Sequence, residues 1–257
     1  MFPDVGATFL LSHLKAGDTV GRFLGMTGTT IKAWDCLRAG VGTHFVPSSS
    51  IPQLRTLLSQ KCIAGVTGQQ ALRSCEEALR EASQGAQPEA SEAVLTDANL
   101  AVIERCFGGD TLEEIVARLQ AETCEFAKAT LAKMYQSCSP TSCKVTLAAM
   151  KEAGQEGANI SGVLNMEFRL SQRFTTRPQP LSDFYEGIRA VLVDKDRKQS
   201  WNPGWDKLGD ITPGKVAEFF APLERGHPRG ELTFDTELAF SEAKRAPFSP
   251  VVIKSKL

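Results

Sequence analysis

The sequence lacks any apolar run of the roughly 18 residues that a membrane-spanning helix requires. Its first residues also lack the basic and apolar regions of a secretory signal. Acidic and basic side chains balance to a net charge of −1, so the composition offers no basic excess to attract nucleic acid or an anionic membrane. We therefore expect an intracellular protein with no membrane span and no nucleic-acid partner.

The residues of several common catalytic and metal sites are also scarce or unsuitably spaced. Only three histidines are present, at 13, 44 and 227, and no arrangement of Ser, Cys and His suggests a nucleophilic triad. No glycine-rich loop has the spacing that cradles a phosphate. The seven cysteines, an odd number, lack the close pairs of a zinc site. We therefore expect reduced, mostly buried thiols, with no metal and no cofactor.

What the sequence does have is helical periodicity. Apolar spacing predicts helices at 7–16, 19–27 and about 158–174, whereas only residues 44–46 predict a short strand. A polar stretch at 83–91 reads as a linker. Polar caps predict further helix starts at Thr29 or Thr30, Ser139, Ser182 and Thr212. The residues Asp110-Thr111-Leu112-Glu113 also predict a capping-box-like start, in which Glu113 reaches back to the N–H of the cap.

The first residues, Phe2-Pro3-Asp4-Val5-Gly6, predict a sharp turn before the first helix. Proline fixes its own φ and pushes the preceding residue toward extended geometry, while glycine permits a positive φ. The turn therefore presents the Asp4 carboxylate ahead of a helix. From these residues alone, Asp4 is either the N-cap of that helix or a site residue.

Several ordered blocks give the chain a resemblance to the 3-hydroxyisobutyryl-CoA hydrolase branch of the crotonase superfamily. The blocks are Phe2-Pro3-Asp4-Val5-Gly6 with residues 7–14, Met26-Thr27-Gly28, residues 31–41, residues 43–46, residues 138–147, Met166-Glu167-Phe168-Arg169-Leu170-Ser171-Gln172, residues 183–196, and Trp201-Asn202-Pro203. The resemblance runs in family order from residue 2 to about 234 and is weakest between about 61 and 100. It corresponds to the C-terminal half to two-thirds of such proteins.

The resemblance implies a mainly α chain: the C-terminal portion of a ββα spiral, with trailing helices and few short strands. Four parts are expected. Residues 1–60 form the end of the crotonase core, 61–99 a variable helical segment and linker, 100–225 a helical C-terminal domain, and 226–257 an extended tail. The apolar faces of the helices in 7–38 would then favour self-association or a partner chain.

The resemblance also implies hydrolysis of an acyl-CoA thioester, in which CoA is part of the substrate. The expected reaction converts 3-hydroxyisobutyryl-CoA to 3-hydroxyisobutyrate and CoA in valine catabolism, with Asp4 as the catalytic residue found here. The family's glutamate and its two backbone N–H donors would lie before Met1. Two alternatives stay open: a catalytically inactive remnant that acts as a binding or oligomerisation module, and an enoyl-CoA hydratase or isomerase.

Other polar residues in the matching blocks have simpler interpretations. Glu186 and Arg189 are expected to form an ion-paired or solvated helix face rather than a catalytic pair. Asp194, Lys195, Asp196 and Trp201 are expected to serve packing and capping. His44 is expected to be a core or edge residue whose hydrogen bonds are satisfied.

The last three residues, Ser255, Lys256 and Leu257, match the tripeptide address of peroxisomal proteins. Its position at the C-terminus is what makes the match specific. The sequence therefore predicts a peroxisomal import receptor as a partner and a peroxisomal location, with a mitochondrial or cytoplasmic location as the alternative.

Overall fold

A computed structural model describes residues 1–62, 68–176, 183–224, 227 and 230–232. These residues are mainly helical, as predicted, and contain no strand. The expected cap at Ser182, the tail after 232 and the C-terminal tripeptide lie outside the described residues. The α-helices are α1 (Ala7–Ser12), α2 (Asp18–Thr27), α3 (Ala33–Ala39), α4 (Ile51–Lys61), α5 (Gly68–Ala82), α6 (Asp97–Phe107), α7 (Leu112–Ala121), α8 (Glu125–Ser137), α9 (Pro140–Ala153), α10 (Ile160–Thr176), α11 (Asp183–Ile188) and α12 (Pro213–Phe220).

Contacts divide the chain into two compact units. The first comprises Met1–Thr30 and Thr96–Ser241, and the second Ile31–Leu95 and Glu242–Leu257. The four-part division expected from the sequence stays a prediction. Within the described residues, every helix is too short or too polar to cross a lipid bilayer.

The first unit is built around α9, which is buried along almost its whole length. A helix that is buried on most of its surface needs other elements packed around it. Helix α10 packs one face of regularly spaced apolar residues into the same core: Val163, Met166, Leu170 and Phe174. Phe2 and Phe219 join this cluster from outside the two helices, which ties the N-terminal turn and α12 to the core.

Helices α6 and α7 supply the rest of this core. The face predicted for α7, formed by Leu112, Ile115, Val116 and Leu119, is buried as expected. Phe23 of α2 meets Phe107 of α6 edge to face, with ring centroids 5.4 Å apart. This arrangement is a favourable one for aromatic pairs.

Side-chain caps start five of the described helices of this unit. The side-chain oxygens of Thr96, Thr111, Ser139, Asn159 and Thr212 each accept a backbone N–H three residues ahead. The prediction for Glu113 was wrong by one residue, because Glu114 Oε2 accepts the N–H of Asp110 at 2.8 Å. Glu113 lies one position too early on the helix to reach back, and it pairs with Lys144 instead.

Helices α1 and α2 approach each other at a glycine. A Cβ placed on Gly21 would lie 2.0 Å from the carbonyl oxygen of Leu11 and 2.7 Å from its carbonyl carbon. Both are backbone atoms, so neither can rotate away. The two helices can therefore reach this separation only with hydrogen at position 21.

The second unit has a smaller core. Helix α3 ends at Gly40, whose φ is 82°. Asp35 is buried and accepts the N–H groups of Val94 and Leu95 at 3.1 and 2.8 Å. Helices α4 and α5 pack together through Leu57, Ala78 and Ala82.

The prediction of a strand at 44–46 was wrong, and these residues are coil. A strand needs the backbone of a neighbour to complete its hydrogen bonds. The described part of the chain provides no such neighbour. Val46 instead packs against the α4–α5 cluster.

Candidate active site

The predicted turn at residues 2–6 is present and strained. Val5 and Gly6 have φ values of 55° and 84°, and Asp4 C=O accepts the N–H of Ala7 at 2.9 Å. A left-handed φ is uncommon for a β-branched residue such as valine. The conformation therefore needs support from elsewhere in the molecule.

Asp4 points its carboxylate outward. The residue is exposed, and its side chain makes no hydrogen bond or ion pair with the described residues. The N-cap of α1 is Gly6 rather than Asp4, and no neighbouring side chain of the turn caps that helix. The capping role that the sequence left open is therefore not filled by Asp4, and its catalytic role stays a prediction.

Glu167 of α10 supports the turn from inside. Its Oε2 accepts Gly6 N–H at 2.6 Å and its Oε1 accepts Thr8 N–H at 3.1 Å. The hydroxyl of Thr8 also donates to Oε1. Only 3% of Glu167 is exposed. A buried carboxylate thus takes the free N–H groups at the start of α1, the function that a local cap usually serves.

Glu167 lies within one of the family blocks of the sequence, but the sequence alone indicated no role for it. The signal that could have found it is its position. It follows Met166 and lies between Val163 and Leu170, so it projects near the apolar face of α10. A carboxylate there must have hydrogen-bond partners, since burying an unpaired one is costly.

Phe2 holds the other side of the turn. Its ring stacks on Phe174 with centroids 5.6 Å apart, and the residue is 6% exposed. Glu167 and Phe174 lie on the same helix, so α10 fixes both ends of the turn. This arrangement leaves Asp4 exposed on a well-anchored loop.

A cavity of about 580 Å³ opens elsewhere in the same unit. It is lined by α2, by the start of α9 and by the α11 region, and Asp4 is not among its lining residues. Asp183 contributes its carboxylate, which accepts the Ser139 hydroxyl at 2.5 Å and Asn202 N–H at 3.1 Å. Burial raises the pKa of Asp183, and these two hydrogen bonds oppose that rise.

Two cysteines also line this cavity. The thiol of Cys143 hydrogen-bonds to Cys138, which lowers the pKa of Cys138 and raises that of Cys143. The indole N–H of Trp201 is buried there without a partner in the described part of the chain. No group of three or more His, Cys, Asp or Glu in the described residues is placed to hold a metal ion.

A second cavity, also about 580 Å³, lies between α7, α9 and α12. Lys144 at its edge is already occupied, because its ammonium donates to Glu113 and to the carbonyls of Leu208 and Ile211. The walls are mainly apolar, and Asp4 is not among the lining residues.

Glu186 and Arg189 form an ion pair, as expected. Arg189 donates to both Glu186 oxygens at 2.8 Å and also pairs with Asp194 and Asp196. Glu186 further accepts Ser200 N–H at 2.7 Å. These contacts hold the segment after α11 in place. The Glu186 carboxylate is therefore engaged in them and is not a free acid.

Glu186→Gln is expected to destabilise the protein at neutral pH but not in strong acid. The hydrogen bond from Arg189, aided by Ser200 N–H, lowers the pKa of Glu186 from 4.5 to about 2. A carboxylate with a lowered pKa stabilises the fold fully above its unfolded pKa, and that contribution is lost as pH falls from about 4.5 through 2. Urea denaturation at several pH values measures the difference. Glu125→Gln, at a carboxylate 91% exposed, is the control and should show little pH dependence; a pH-independent difference for Glu186→Gln contradicts the prediction.

Comparison with known proteins agrees with the resemblance. A family profile described as enoyl-CoA hydratase/isomerase matches residues 1–220. The chain therefore belongs to the enoyl-CoA hydratase/isomerase family, within the crotonase superfamily.

Curated relatives sharpen this assignment. The chain is 34% identical over 229 residues to mitochondrial 3-hydroxyisobutyryl-CoA hydrolase of Homo sapiens, covering 87% of this chain and 53% of that protein. It is also 34% identical over 223 residues to the mitochondrial enzyme of the same name from Dictyostelium discoideum, covering 86% and 54%. The chain thus spans about half the length of the curated relatives it matches.

Solved structures give the same fold. An enoyl-CoA hydratase from Rhodobacter sphaeroides matches with a TM-score of 0.68 at 32% identity, covering 91% of this chain and 59% of that one. A carnitinyl-CoA dehydratase from Mycobacterium thermoresistibile matches with a TM-score of 0.69 at 27% identity, covering 92% and 59%. The expected mainly α part of a crotonase fold is confirmed.

The predicted peroxisomal location is wrong. The named relatives from Homo sapiens, Xenopus laevis and Dictyostelium discoideum are mitochondrial proteins, which conflicts with the interpretation of Ser255, Lys256 and Leu257 as an address. The import receptor expected as a partner has no support either. A three-residue match carries little information beside a relationship that spans most of the chain.

Proposed function

We propose that this chain contributes Asp4 and its helical support to the site of an acyl-CoA thioester hydrolase. The substrate proposed is 3-hydroxyisobutyryl-CoA, which gives 3-hydroxyisobutyrate and CoA in valine catabolism. The observation that carries the proposal is the exposed Asp4 carboxylate on a turn that Glu167 anchors from within. The names of the curated relatives support the choice of substrate.

The chemistry explains why such a carboxylate is useful. Hydrolysis adds water across the thioester C–S bond, so the reaction needs a polarised carbonyl, an activated oxygen nucleophile and a proton for the departing thiolate. An ionised aspartate accepts hydrogen bonds, so Asp4 can hold the 3-hydroxyl of the acyl group and exchange a proton near it. An anchored turn keeps that oxygen in place, and a catalytic group held in position lowers the reaction barrier more than a mobile one does.

Asp4 is one part of a larger site. The resemblance implies a glutamate and two backbone N–H donors, and we assign none of these to the described residues. The proposal for this chain is therefore the role of Asp4, within the activity of the whole protein. No cofactor is proposed, because CoA enters as part of the substrate.

A second candidate is a binding or oligomerisation module. Val191, Leu192 and Val193 are 47%, 65% and 68% exposed, and Tyr185 nearby is 50% exposed. Adjacent exposed apolar side chains are typical of surfaces that contact another protein. A second copy of the chain or a partner chain would cover them.

Asp4→Asn is expected to lower kcat/KM by at least about a hundredfold, the scale of a lost acid–base group. The measurement is CoA thiol release from 3-hydroxyisobutyryl-CoA, with a trans-2-enoyl-CoA hydration assay beside it. Asp210→Asn is the matched control, since Asp210 is also exposed and its side chain has no partner among the described residues.

Four outcomes decide between the candidates. Thiol release that depends on Asp4 supports the hydrolase. Hydration without thiol release favours the enoyl-CoA hydratase alternative. Absence of both reactions and of CoA binding favours the binding module, and full turnover by Asp4→Asn removes Asp4 from the site.

A further inference from the structure

Two thiols meet where the end of α4 contacts the middle of α5. Cys62 follows the last residue of α4 and Cys75 lies within α5. Their Sγ atoms are 3.4 Å apart, and both residues are half-buried and unoxidised. The pair is therefore in contact and within reach of a small reagent.

The two helices hold these sulfurs near bonding distance. A disulfide bond is about 2.05 Å long, so the two atoms need to approach by only about 1.4 Å, which side-chain rotation can supply. Lys61, next to Cys62, pairs with Glu77 and Glu81 on α5 at 3.8 and 3.4 Å. These ion pairs fasten the end of α4 to α5 beside the thiols.

We propose that Cys62 and Cys75 are a modification site, a dithiol that low-molecular-weight disulfides such as glutathione disulfide oxidise to an intramolecular disulfide. One thiolate attacks the glutathione disulfide, forms a mixed disulfide and releases one glutathione thiolate. The second cysteine loses its proton and attacks the mixed disulfide, which releases the second glutathione. The protein loses two electrons and two protons, and one glutathione disulfide becomes two glutathiones.

The order of attack follows from the hydrogen bond between the sulfurs. That bond to Cys75 is the main cause that raises the pKa of Cys62, with burial adding to it. A raised pKa disfavours the thiolate of Cys62, and the thiolate is the attacking species. In this proposal Cys75 therefore attacks first and Cys62 resolves the mixed disulfide.

The pair of helices α4 and α5 has a small core, so a cross-link between them would add to what holds them together. Only Leu57, Ala78 and Ala82 are buried in this cluster, with Val46, Leu54 and Leu58 partly buried around them. Two helices that bury so few apolar side chains separate more readily than helices of a large core. A covalent bond from the end of α4 to the middle of α5 would keep them together.

Peptide mapping tests the proposal on the full chain. After incubation with excess glutathione disulfide and digestion with trypsin, Cys62 lies in peptide 62–73 and Cys75 in peptide 74–80, because cleavage follows Lys61, Arg73 and Arg80. We expect these two peptides to be joined, and a mass loss of about 2 Da from two hydrogens. Reduction should separate them.

Cysteine variants test the order of attack. Cys62→Ser should accumulate glutathione on Cys75, a gain of about 305 Da, because the resolving thiol is missing. Cys36→Ser is the matched control in the same unit and should retain the link between 62–73 and 74–80. Wild-type protein in which the two peptides stay unlinked, or each carry a separate glutathione, overturns the proposal, and this result needs no variant.

Discussion

Glu167→Ala is expected to lower the free energy of unfolding by about 3 kcal/mol or more. The substitution leaves Gly6 N–H, Thr8 N–H and the Thr8 hydroxyl without their acceptor. Each unsatisfied buried donor costs about 1–3 kcal/mol. For a chain of this size, 3 kcal/mol corresponds to a fall in Tm of about 6–12 °C. Thermal and urea denaturation measure the change.

Two further variants separate this mechanism from a general loss of side-chain contacts. Glu104→Ala makes the same substitution at an exposed position within α6 and should change stability by less than about 0.5 kcal/mol. Glu167→Gln keeps one oxygen and should fall between wild type and Glu167→Ala. A Glu167→Ala protein as stable as the Glu104→Ala control would show that the turn does not depend on this carboxylate.

Gly21→Ala is expected to destabilise the protein by about 2 kcal/mol. Alanine favours a helix over glycine by only about 1 kcal/mol. Its Cβ, however, would lie 2.0 Å from Leu11 O, and overpacking typically costs 1–3 kcal/mol or more when backbone has to move. The clash therefore outweighs the propensity, and α1 and α2 must move apart. The midpoint and slope of urea denaturation give the value.

Gly162→Ala is the matched control for this prediction. Gly162 is also a helical glycine, but a Cβ there would meet only Asn159 Oδ1 at an ordinary 3.6 Å. With no clash, the propensity term alone remains, and the variant should gain about 0.5–1 kcal/mol. If both substitutions stabilise the protein, the close approach of α1 and α2 at Gly21 is wrong.

The sequence predicted features whose cause is local. The turn at residues 2–6 follows from the fixed φ of Pro3 and the permissive Gly6, and the cap at Ser139 follows from a hydroxyl three residues before a free N–H. The sequence also predicted a helix start within residues 110–113, where Thr111 is the cap. The glutamate that completes the capping box was predicted one residue too early. The position of a helix boundary is uncertain by one or two residues, and it decides which side chain can reach back.

Glu167 was not predicted because its cause is distant. Its partners in the turn lie 159 and 161 residues away, and no pattern within α10 identifies which N–H groups a buried acid meets. The absent strand at 44–46 has the same origin, since a strand is decided by the neighbour it pairs with. Asp4, by contrast, was singled out through a family resemblance, and its catalytic role stays a prediction.

The hydrogen bonds from Gly6 and Thr8 to Glu167 also affect the order in which the chain folds during synthesis. The ribosome makes the turn and α1 before α10, and 161 residues separate Gly6 from its acceptor. At roughly 5–20 residues per second, synthesis of that interval takes about 8–30 s. During this interval the first N–H groups of α1 must bond to water or to another molecule. The start of this helix is therefore synthesised early but gains its hydrogen-bond acceptor late.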